Sequence, residues 1–432
     1  MPDPETGDAA AVTRLAAETD HDPAEWSPWR VVVGFGSISL AADMVYEGAR
    51  SVYGPLLASL GGSALVVGAV TGAGDAAALV LRVVSGPLAD RTRRYWTLTI
   101  AGYALTAVCV PLLAFTPLLG GAGLAVGAVL ILAERVGKAV RSPAKSALLA
   151  DAAGKVGMGR GLGVHKALDQ VGAFAGPLLV AAVVAATAGE LSLALAALAV
   201  PGALAMVLLV LTRRHLPLPD NGTAEVLTSR SPPAGGASRH TKSRTRTPLP
   251  PLFVRFAAAT SLCTAGLVSF GLISFHLVDR GLVPTAGVPL LYAGAMATGA
   301  IAAVLSGEAY DRFGARVLLA LPFLVAAVSP LAFAGTLGTV GAGILLWGAA
   351  VGLQDSTVKA LVADLVPRQR RATAYGVFAS VQGAGALLGG VGAGALYQHS
   401  ITLLVTVLAA LQVIPLMLLL PVVQRISGSH PP

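Results

Sequence analysis

Chemistry in this sequence rests with charged side chains set inside apolar runs. Asp43, Glu47 and Arg50 fall within the run Val31–Leu57 at i, i+4 and i+7, which puts all three on one face of a helix. Asp43 lies near the middle of that run, where a carboxylate is expensive unless it faces a cavity or a partner. A carboxyl group withdrawn from water keeps its proton to higher pH and can trade it near neutrality. Asp43 or Glu47 is therefore a candidate for binding a proton or a cationic substrate. The plainer alternative is a Glu47–Arg50 pair beside a structural Asp43. Glu134, Lys138 and Arg141 share a face by the same spacing, with Arg135 next to them. Arg141 is placed to snorkel to a surface, whereas Arg135 and Lys138 lie deeper and need carboxylate partners. We expect Arg135 to pair with Asp43 and to set its proton affinity, with substrate or proton competing for the pair. A purely structural ion pair is the alternative. Asp75 and Arg82 share a face at i, i+7, with Asp75 at mid-depth. His165, Asp169, Gly172 and Gly176 follow at i, i+4, i+7 and i+11. Asp169 reads as a second proton site or as the partner of Arg135, and His165 titrates in the right range. Asp355 and Lys359, at i, i+4, can satisfy each other, and Gln354 is a polar contact for a substrate.

The elements that must hold these residues are set by composition. The 432 residues are 55% hydrophobic and 12% charged, with a mean hydropathy of +0.75. A soluble chain of this length would carry roughly twice that charged fraction. Twelve apolar runs of roughly 18–28 residues are each long enough to cross a bilayer. In the first half they are Val31–Leu57, Ser63–Leu88, Tyr95–Phe115, Ala122–Val140, Leu162–Ala186 and Leu191–Leu211. In the second they are Leu252–Leu277, Ala286–Ala309, Val317–Ala334, Val340–Val366, Ala372–Leu396 and Ile401–Val423. Runs of this length must be helices, since backbone polar groups in lipid pair internally and barrel strands are shorter and alternating. The predicted fold class is an all-α membrane protein of twelve transmembrane helices in two pseudo-symmetric six-helix halves. Residues 29–211 form the first half and 252–423 the second. The Ser-, Pro- and Arg-rich stretch 212–251 between them reads as a linker. Residues 1–28 are polar and acid-rich, without the basic start and apolar core of a signal peptide, and read as a disordered tail; 424–432 form a second tail. Trp26, Trp29 and Arg30 suit an interfacial anchor. Cys109 and Cys263 lie inside apolar runs and read as buried small hydrophobes.

Net charge is +8, yet the cations sit in short loops between spans rather than in a patch suited to nucleic acid. One set of loops carries Arg91, Arg93 and Arg94; Arg141, Lys145, Lys155 and Arg160; the basic linker; Arg312 and Arg316; and Arg368, Arg370 and Arg371. The other set is nearly bare, with Arg280 its one basic residue. The positive-inside rule places the first set, and both termini, in the cytosol of a cell whose plasma membrane the chain spans.

The halves repeat each other. Gly86-Pro87-Leu88-Ala89-Asp90-Arg91 forms a compact charged turn after the second run, and Gly307-Glu308-Ala309-Tyr310-Asp311-Arg312 forms its counterpart in the second half. Asp151, Gly163, Gly172 and Gly176 align without a gap to Asp364, Gly376, Gly385 and Gly389. Repeat, topology and charged turns together resemble the major facilitator superfamily from Val31 to Val423. The family pattern after the second span is Gly-x-Leu-Ala-Asp-Arg-x-Gly-Arg-Arg. Gly86, Leu88, Ala89, Asp90, Arg91 and Arg94 match it, Arg93 replaces the second Gly, and Gly314 keeps that Gly in the second copy.

The resemblance implies a central cavity between the halves, lined by the first and fourth spans among others, and alternating access by rocking. It implies that Gly86, Asp90, Arg91, Arg94, Gly307, Asp311 and Arg312 latch the cytosolic side in the outward-open state. Gly172-Ala173-Phe174-Ala175-Gly176-Pro177 resembles the fifth-span motif of the superfamily's antiporters, departing after Pro177 with Leu178-Leu179-Val180-Ala181. Arg135 matches the Arg of a fourth-span motif of proton-coupled members, with Lys138 and Ala139 in place of its Gln and Gly. The reading is a monomeric, proton-driven exporter of a small organic molecule without cofactor or metal. Proton-coupled uptake is the alternative, and a non-transporting sensor on the same scaffold is an alternative of another class. The sequence carries no Gly-x-x-x-x-Gly-Lys-Ser/Thr for ATP, no His or Cys cluster at metal-ligand spacing and no Gly-x-Ser-x-Gly nucleophile motif, so it does not read as an enzyme.

Overall fold

A computed structural model describes residues 26–216, 249–366 and 370–427, the side chains at 359, 360, 363, 364, 371, 372 and 427 excepted. The regular structure among these residues is helical throughout. Ten stretches are long and apolar enough to cross a membrane. Two of them, Tyr95–Val156 with 62 residues and Gly287–Ala332 with 46, are too long for one crossing. Each reverses at a left-handed glycine, Gly120 (φ 54°) and Gly314 (φ 62°), so the ten stretches make twelve crossings. Of the expected tails and linker, residues 1–25, 217–248 and 428–432 lie outside the described residues.

The two halves are built alike. In the first, Gly172 and Gly176 of the fifth span rest on the backbone of Leu40 and Met44 in the first span, and a Cβ at either would collide with a carbonyl oxygen there. In the second, Gly385 and Gly389 of the eleventh span rest in the same way on Ser261 and Ala265 of the seventh. Small residues that admit close backbone approach are how helices bind one another where lipid removes the hydrophobic drive. The halves then meet through glycines as well. Gly68 abuts Gly390, Gly72 abuts Ala386, and Gly54 abuts Gly271 and Ser274. Thr71 Oγ1 lies 2.8 Å from Ser269 Oγ across the same seam. These contacts lie toward the face opposite the helix ends Pro28, His215 and Pro251. At the terminal face Trp26 stacks on His215 with ring centroids 5.1 Å apart.

The first and seventh spans are both broken. The first runs as Pro28–Arg50 and Tyr53–Ser59, the seventh as Pro251–Gly266 and Phe270–Asp279. Where the seventh span breaks, the indole Nε1 of Trp347 donates to the freed carbonyl of Val268 at 2.8 Å. Non-helical backbone at membrane depth is tolerated only when it is buried in protein or lines a cavity, and this pairing shows how that is met here.

Three expectations are corrected by the helix ends. The fourth span does not stop at Val140; its helix is Gly123–Val156, and Gly157 (φ 97°) alone separates it from the next helix, Met158–Ala186. Arg141 and Lys145 are thus helical residues inside the bundle rather than loop residues. The charged turn Gly86–Thr92 is likewise the end of the helix Ala64–Thr92, and Gly307–Phe313 ends the helix Gly287–Phe313. The residue that stops the second span is Arg93, left-handed at φ 54°, whose N–H donates to Ala89 O at 2.8 Å. Gly314 plays the same part in the second half, which explains why the family pattern has a glycine at the Arg93 position.

Candidate functional site: a charged cavity between the halves

A cavity of about 400 Å³ lies between the halves, extending from mid-depth toward the terminal face. Its two walls differ sharply in chemistry. The first half contributes Asp43, Glu47 and Arg50 from the first span, Arg82 from the second and Tyr103 from the third. It adds Lys138, Arg141 and Lys145 from the fourth span and Lys166 and Asp169 from the fifth. The second half contributes Met296, Gly299, Ala300 and Ala303 from the eighth span and Gly348, Val351, Gly352 and Asp355 from the tenth. Six of the lining side chains are basic and four are acidic, and Asp355 is the one charge from the second half.

The acids of the first span are held by the fourth, though not as the spacing suggested. Arg141 is 4% exposed; its Nη2 lies 3.9 Å from Asp43 Oδ1, its Nη1 donates to Thr106 Oγ1, and its guanidinium sits 4.5 Å above the Tyr103 ring. It does not snorkel, because a carboxylate, a hydroxyl and an aromatic face are all available inside. Lys138 Nζ is 3.9 Å from Glu47 Oε1 and 3.2 Å from the centroid of the Tyr46 ring. The other oxygen of Glu47 accepts a 2.6 Å hydrogen bond from the Tyr292 hydroxyl, which belongs to the eighth span and so to the other half. Arg50 is 3.9 Å from Glu47 and 3.6 Å from Asp75, so the expected Glu47–Arg50 pair is one link in a wider network.

Arg135 does not meet Asp43. It is 2% exposed, lies 3.4 Å from Asp75 and 3.7 Å from Glu134, and donates to the Tyr46 hydroxyl. Its stem packs on Gly74, where a Cβ would stand 2.9 Å from Arg135 Cγ. Glu134 is fully buried and neither of its oxygens has a hydrogen-bond partner among the described residues. Glu134 and Arg135 therefore lie behind the cavity wall rather than in it. The cause is rotation about the helix: Lys138 and Arg141 turn to the cavity, and Glu134 and Arg135 turn to the second and third spans.

Asp169 does not pair with Arg135 either. Its carboxyl lines the same cavity wall as that of Asp43 and lies 2.7 Å from Lys166 Nζ. Close by, Lys145 Nζ lies 2.9 Å from Ser39 Oγ and 3.2 Å from His165 Nε2, a hydroxyl and an imidazole rather than a carboxylate.

A smaller cavity of about 150 Å³ reaches the break of the seventh span and is lined by Arg50, Asp75, Gln354 and Asp355 among others. Gln354 donates to Thr264 Oγ1 at 2.7 Å, so it faces the seventh span at the edge of this space. The side chain of Lys359 lies outside the described residues. His276 of the seventh span is 1% exposed and bonded to Tyr397 and to the Ala334 carbonyl. The latch residues are spread at the terminal face. Asp90 is exposed and accepts from the Tyr95 hydroxyl at 3.1 Å, and Arg312 pairs with Glu308 on its own helix. Among the described residues neither Asp90 nor Asp311 has an ion-pair partner, so the latch expected of the opposite state is not made here.

Sequence reasoning passed over Tyr292, Tyr103 and Lys166, and it put Lys145 in a loop. Lys145 carried a signal, since continuing the Lys138–Arg141 stripe by four residues reaches it. Tyr292 carried none, because its role comes from contact between spans 245 residues apart.

The comparisons agree with this architecture. The sequence profile of the Major Facilitator Superfamily matches residues 35–390 and, in a second overlapping match, 279–431. Uncharacterised proteins of Mycobacterium tuberculosis and Mycobacterium bovis are 49% identical over 395 residues, covering 91% of this chain and 93% of theirs. An uncharacterised transporter of this type from Methanocaldococcus jannaschii is 30% identical over 145 residues, 33% of this chain and 35% of its own. Among solved structures, a POT family transporter in complex with 5-aminolevulinic acid superposes with a TM-score of 0.71 at 12% identity, covering 93% and 96% of the two chains. The nucleoside transporter NupG gives 0.64 at 15%, covering 92% and 99%. A twelve-crossing bundle of two like halves, a charged cavity between them and a family profile spanning most of the sequence lead to one conclusion: this chain belongs to the major facilitator superfamily, as a multi-pass membrane transporter.

Proposed function

We propose that the chain is a proton-coupled secondary transporter that moves a small organic molecule across the plasma membrane by alternating access, as a monomer with both termini in the cytosol. The orientation follows from the basic residues at the terminal face, among them Arg91, Arg94, Arg213, Arg214, Arg312 and Arg316, against Arg280 at the other. The observation that carries the proton coupling is the placement of Asp43 and Asp169 together in the cavity wall, with Arg141 3.9 Å from Asp43 and Lys166 2.7 Å from Asp169. The pair is faced by Lys138, Arg141 and Lys145 from the fourth span and by His165 and Lys166 from the fifth. Whatever draws Arg141 away from Asp43 leaves an acid that takes up a proton, and this exchange links the gradient to the cavity.

Export in exchange for protons is the reading that the Gly172–Pro177 motif suggested. Plain packing against Leu40 and Met44, repeated by Gly385 and Gly389 in the other half, accounts for the motif's glycines without reference to direction. Uptake together with a proton is the second reading, and the excess of basic over acidic residues in the cavity favours it.

The test uses cells without their main exporters, expressing either the wild type or Asp43→Asn at matched levels. Accumulation of, and resistance to, cationic, neutral and anionic toxic compounds are scored with and without a protonophore. A phenotype lost with both the substitution and the protonophore is expected. Equal activity of Asp43→Asn, or activity indifferent to the protonophore, would sink the coupling.

A further inference from the structure

We propose that the cavity binds its substrate by an acidic group, a carboxylate or a phosphate, held between Arg82, Arg141 and Lys145, with the rest of the molecule lying against the glycine and alanine wall of the second half. This rests on the reading of the cavity as a transport site. Three observations carry it. First, the charges are unevenly matched. Among the described residues Arg50, Lys138 and Lys166 each lie within ion-pair distance of a carboxylate, as does Arg141, whereas neither Arg82 nor Lys145 does. Lys145 is held by a serine hydroxyl and a histidine ring. Arg82 has a buried Nε without a hydrogen-bond partner, and it lies within electrostatic reach of Arg141 as well as of Asp355 across the cavity. Two guanidiniums in one wall repel each other unless an anion joins them, and guanidinium is the group that grips carboxylate and phosphate in bidentate fashion.

Second, the three cations converge. Arg141 lies over the Tyr103 ring, Tyr103 is 3.3 Å from Ser39, and Ser39 accepts from Lys145. The second span is tied to the fourth beside Arg82 by Ser85 Oγ donating to Ala139 O at 2.9 Å. Third, the facing wall offers Gly299, Ala300, Gly348 and Gly352, flat and apolar, with Asp355 its one charge, which suits the apolar or planar remainder of an acid.

The consequence reaches the proton. An anion that engages Arg141 competes with Asp43 for it, so Asp43 gives up its cation as the substrate arrives and a proton takes that place. Proton and substrate then load together. A cation would instead compete with the proton for Asp43, which is the logic of exchange.

The experiment is metabolite profiling of cells and medium from strains expressing the wild type, Arg82→Gln/Lys145→Gln, or empty vector, each with and without a protonophore. The expected result is that the compounds whose distribution depends on the wild type are acids. In the double variant their half-saturation weakens by about 10–100-fold, as loss of hydrogen bonds to a charged group implies, while the protein keeps its level in the membrane. A wild-type profile dominated by neutral or cationic compounds overturns the proposal, as does acid transport unchanged in the double variant or the absence of any acid that distinguishes the two. Acid transport that depends on Arg82 and Lys145 but ignores the protonophore leaves the anion site standing and refutes the proton coupling. Protonophore-sensitive transport of cations does the reverse.

Discussion

The seam between the halves on the face away from the termini can be wedged open, and the structure sets the size of the effect. The nearest atoms to a methyl group at Gly54 all belong to the seventh span and those at Gly68 to the eleventh, so a methyl at either burdens the state in which the halves meet. A Cβ at Gly68 falls on the Gly390 carbonyl oxygen, and one at Gly54 on the Gly271 carbonyl and Ser274 hydroxyl. Backbone cannot yield as a side-chain tip can, so each methyl costs about 1–3 kcal/mol. Gly54→Ala/Gly68→Ala together shift the balance toward the opposite opening by about 2–6 kcal/mol, roughly 30-fold to 10⁴-fold. The native cysteines give a quiet background, because Cys109 is 6% exposed and Cys263 is fully buried. Thr71→Cys then places a thiol at the seam, where Thr71 is 4% exposed and bonded to Ser269. Labelling by a membrane-impermeant maleimide should be slow in that background and at least tenfold faster with the two wedges. Unchanged labelling in a variant that still purifies as a single monodisperse species would refute the idea that this seam parts in the transport cycle.

Three further predictions concern the frame. Arg93→Gly should raise the detergent melting temperature, by about 1 kcal/mol of stability, because a left-handed backbone costs an L-residue about that much and a glycine little; an unchanged or lower value would argue against the helix stop at this residue. Gly176→Ala and Gly389→Ala should each cost about 1–3 kcal/mol on the same assay, whereas Gly163→Ala, with open space around it, should be neutral or stabilising; a loss for Gly176→Ala alone would mean that the two halves do not share this contact. Arg135→Met should cost about 3–5 kcal/mol by stranding Glu134 and leaving Asp75 with Arg50 alone, and Arg135→Lys should recover little of it, since one ammonium cannot meet three partners; near-wild-type unfolding of Arg135→Met would show the cluster to be dispensable.

Crossing number, the division into like halves and the candidate charged spans were legible in the sequence, because length, hydropathy and repetition survive without knowledge of contacts. Helix ends were not. Hydropathy falls at Arg141 and predicts an end there, yet the helix runs on to Val156, with Arg141 and Lys145 facing the cavity rather than a loop. The end of the second span reads as a loop for a different reason: its helix carries on to Thr92 through charges that are exposed at the terminal face. Partner choice was legible only as a list of options. Spacing placed Glu134, Arg135, Lys138 and Arg141 within two turns, but which of them faces Asp43 depends on how the fourth helix is rotated against the first and second. Gly74, which makes room for Arg135, and Thr106, which receives Arg141, decide that rotation, and neither contact leaves a mark in local sequence.

Glu47 is where cavity and seam share one side chain. Its Oε1 faces Lys138 in the cavity wall, and its Oε2 accepts from Tyr292 across the halves. A hydrogen bond to a charged acceptor is worth about 1.5–3 kcal/mol. Any event in the cavity that neutralises Glu47 or turns it from Tyr292 therefore weakens the seam by a factor of roughly 10–150. That equals the coupling free energy typical of allosteric systems, about 1–3 kcal/mol, so this one carboxylate can convey occupancy of the cavity to the opposite opening. Tyr292→Phe separates the two duties: it removes the cross-half bond and leaves the Glu47–Lys138 pair in place. Maleimide labelling at Thr71→Cys should then rise by roughly 10–150-fold even in an empty cavity. If Tyr292→Phe left that labelling unchanged, Glu47 would act within the cavity alone, and the signal to the seam would have to travel through the glycine contacts instead.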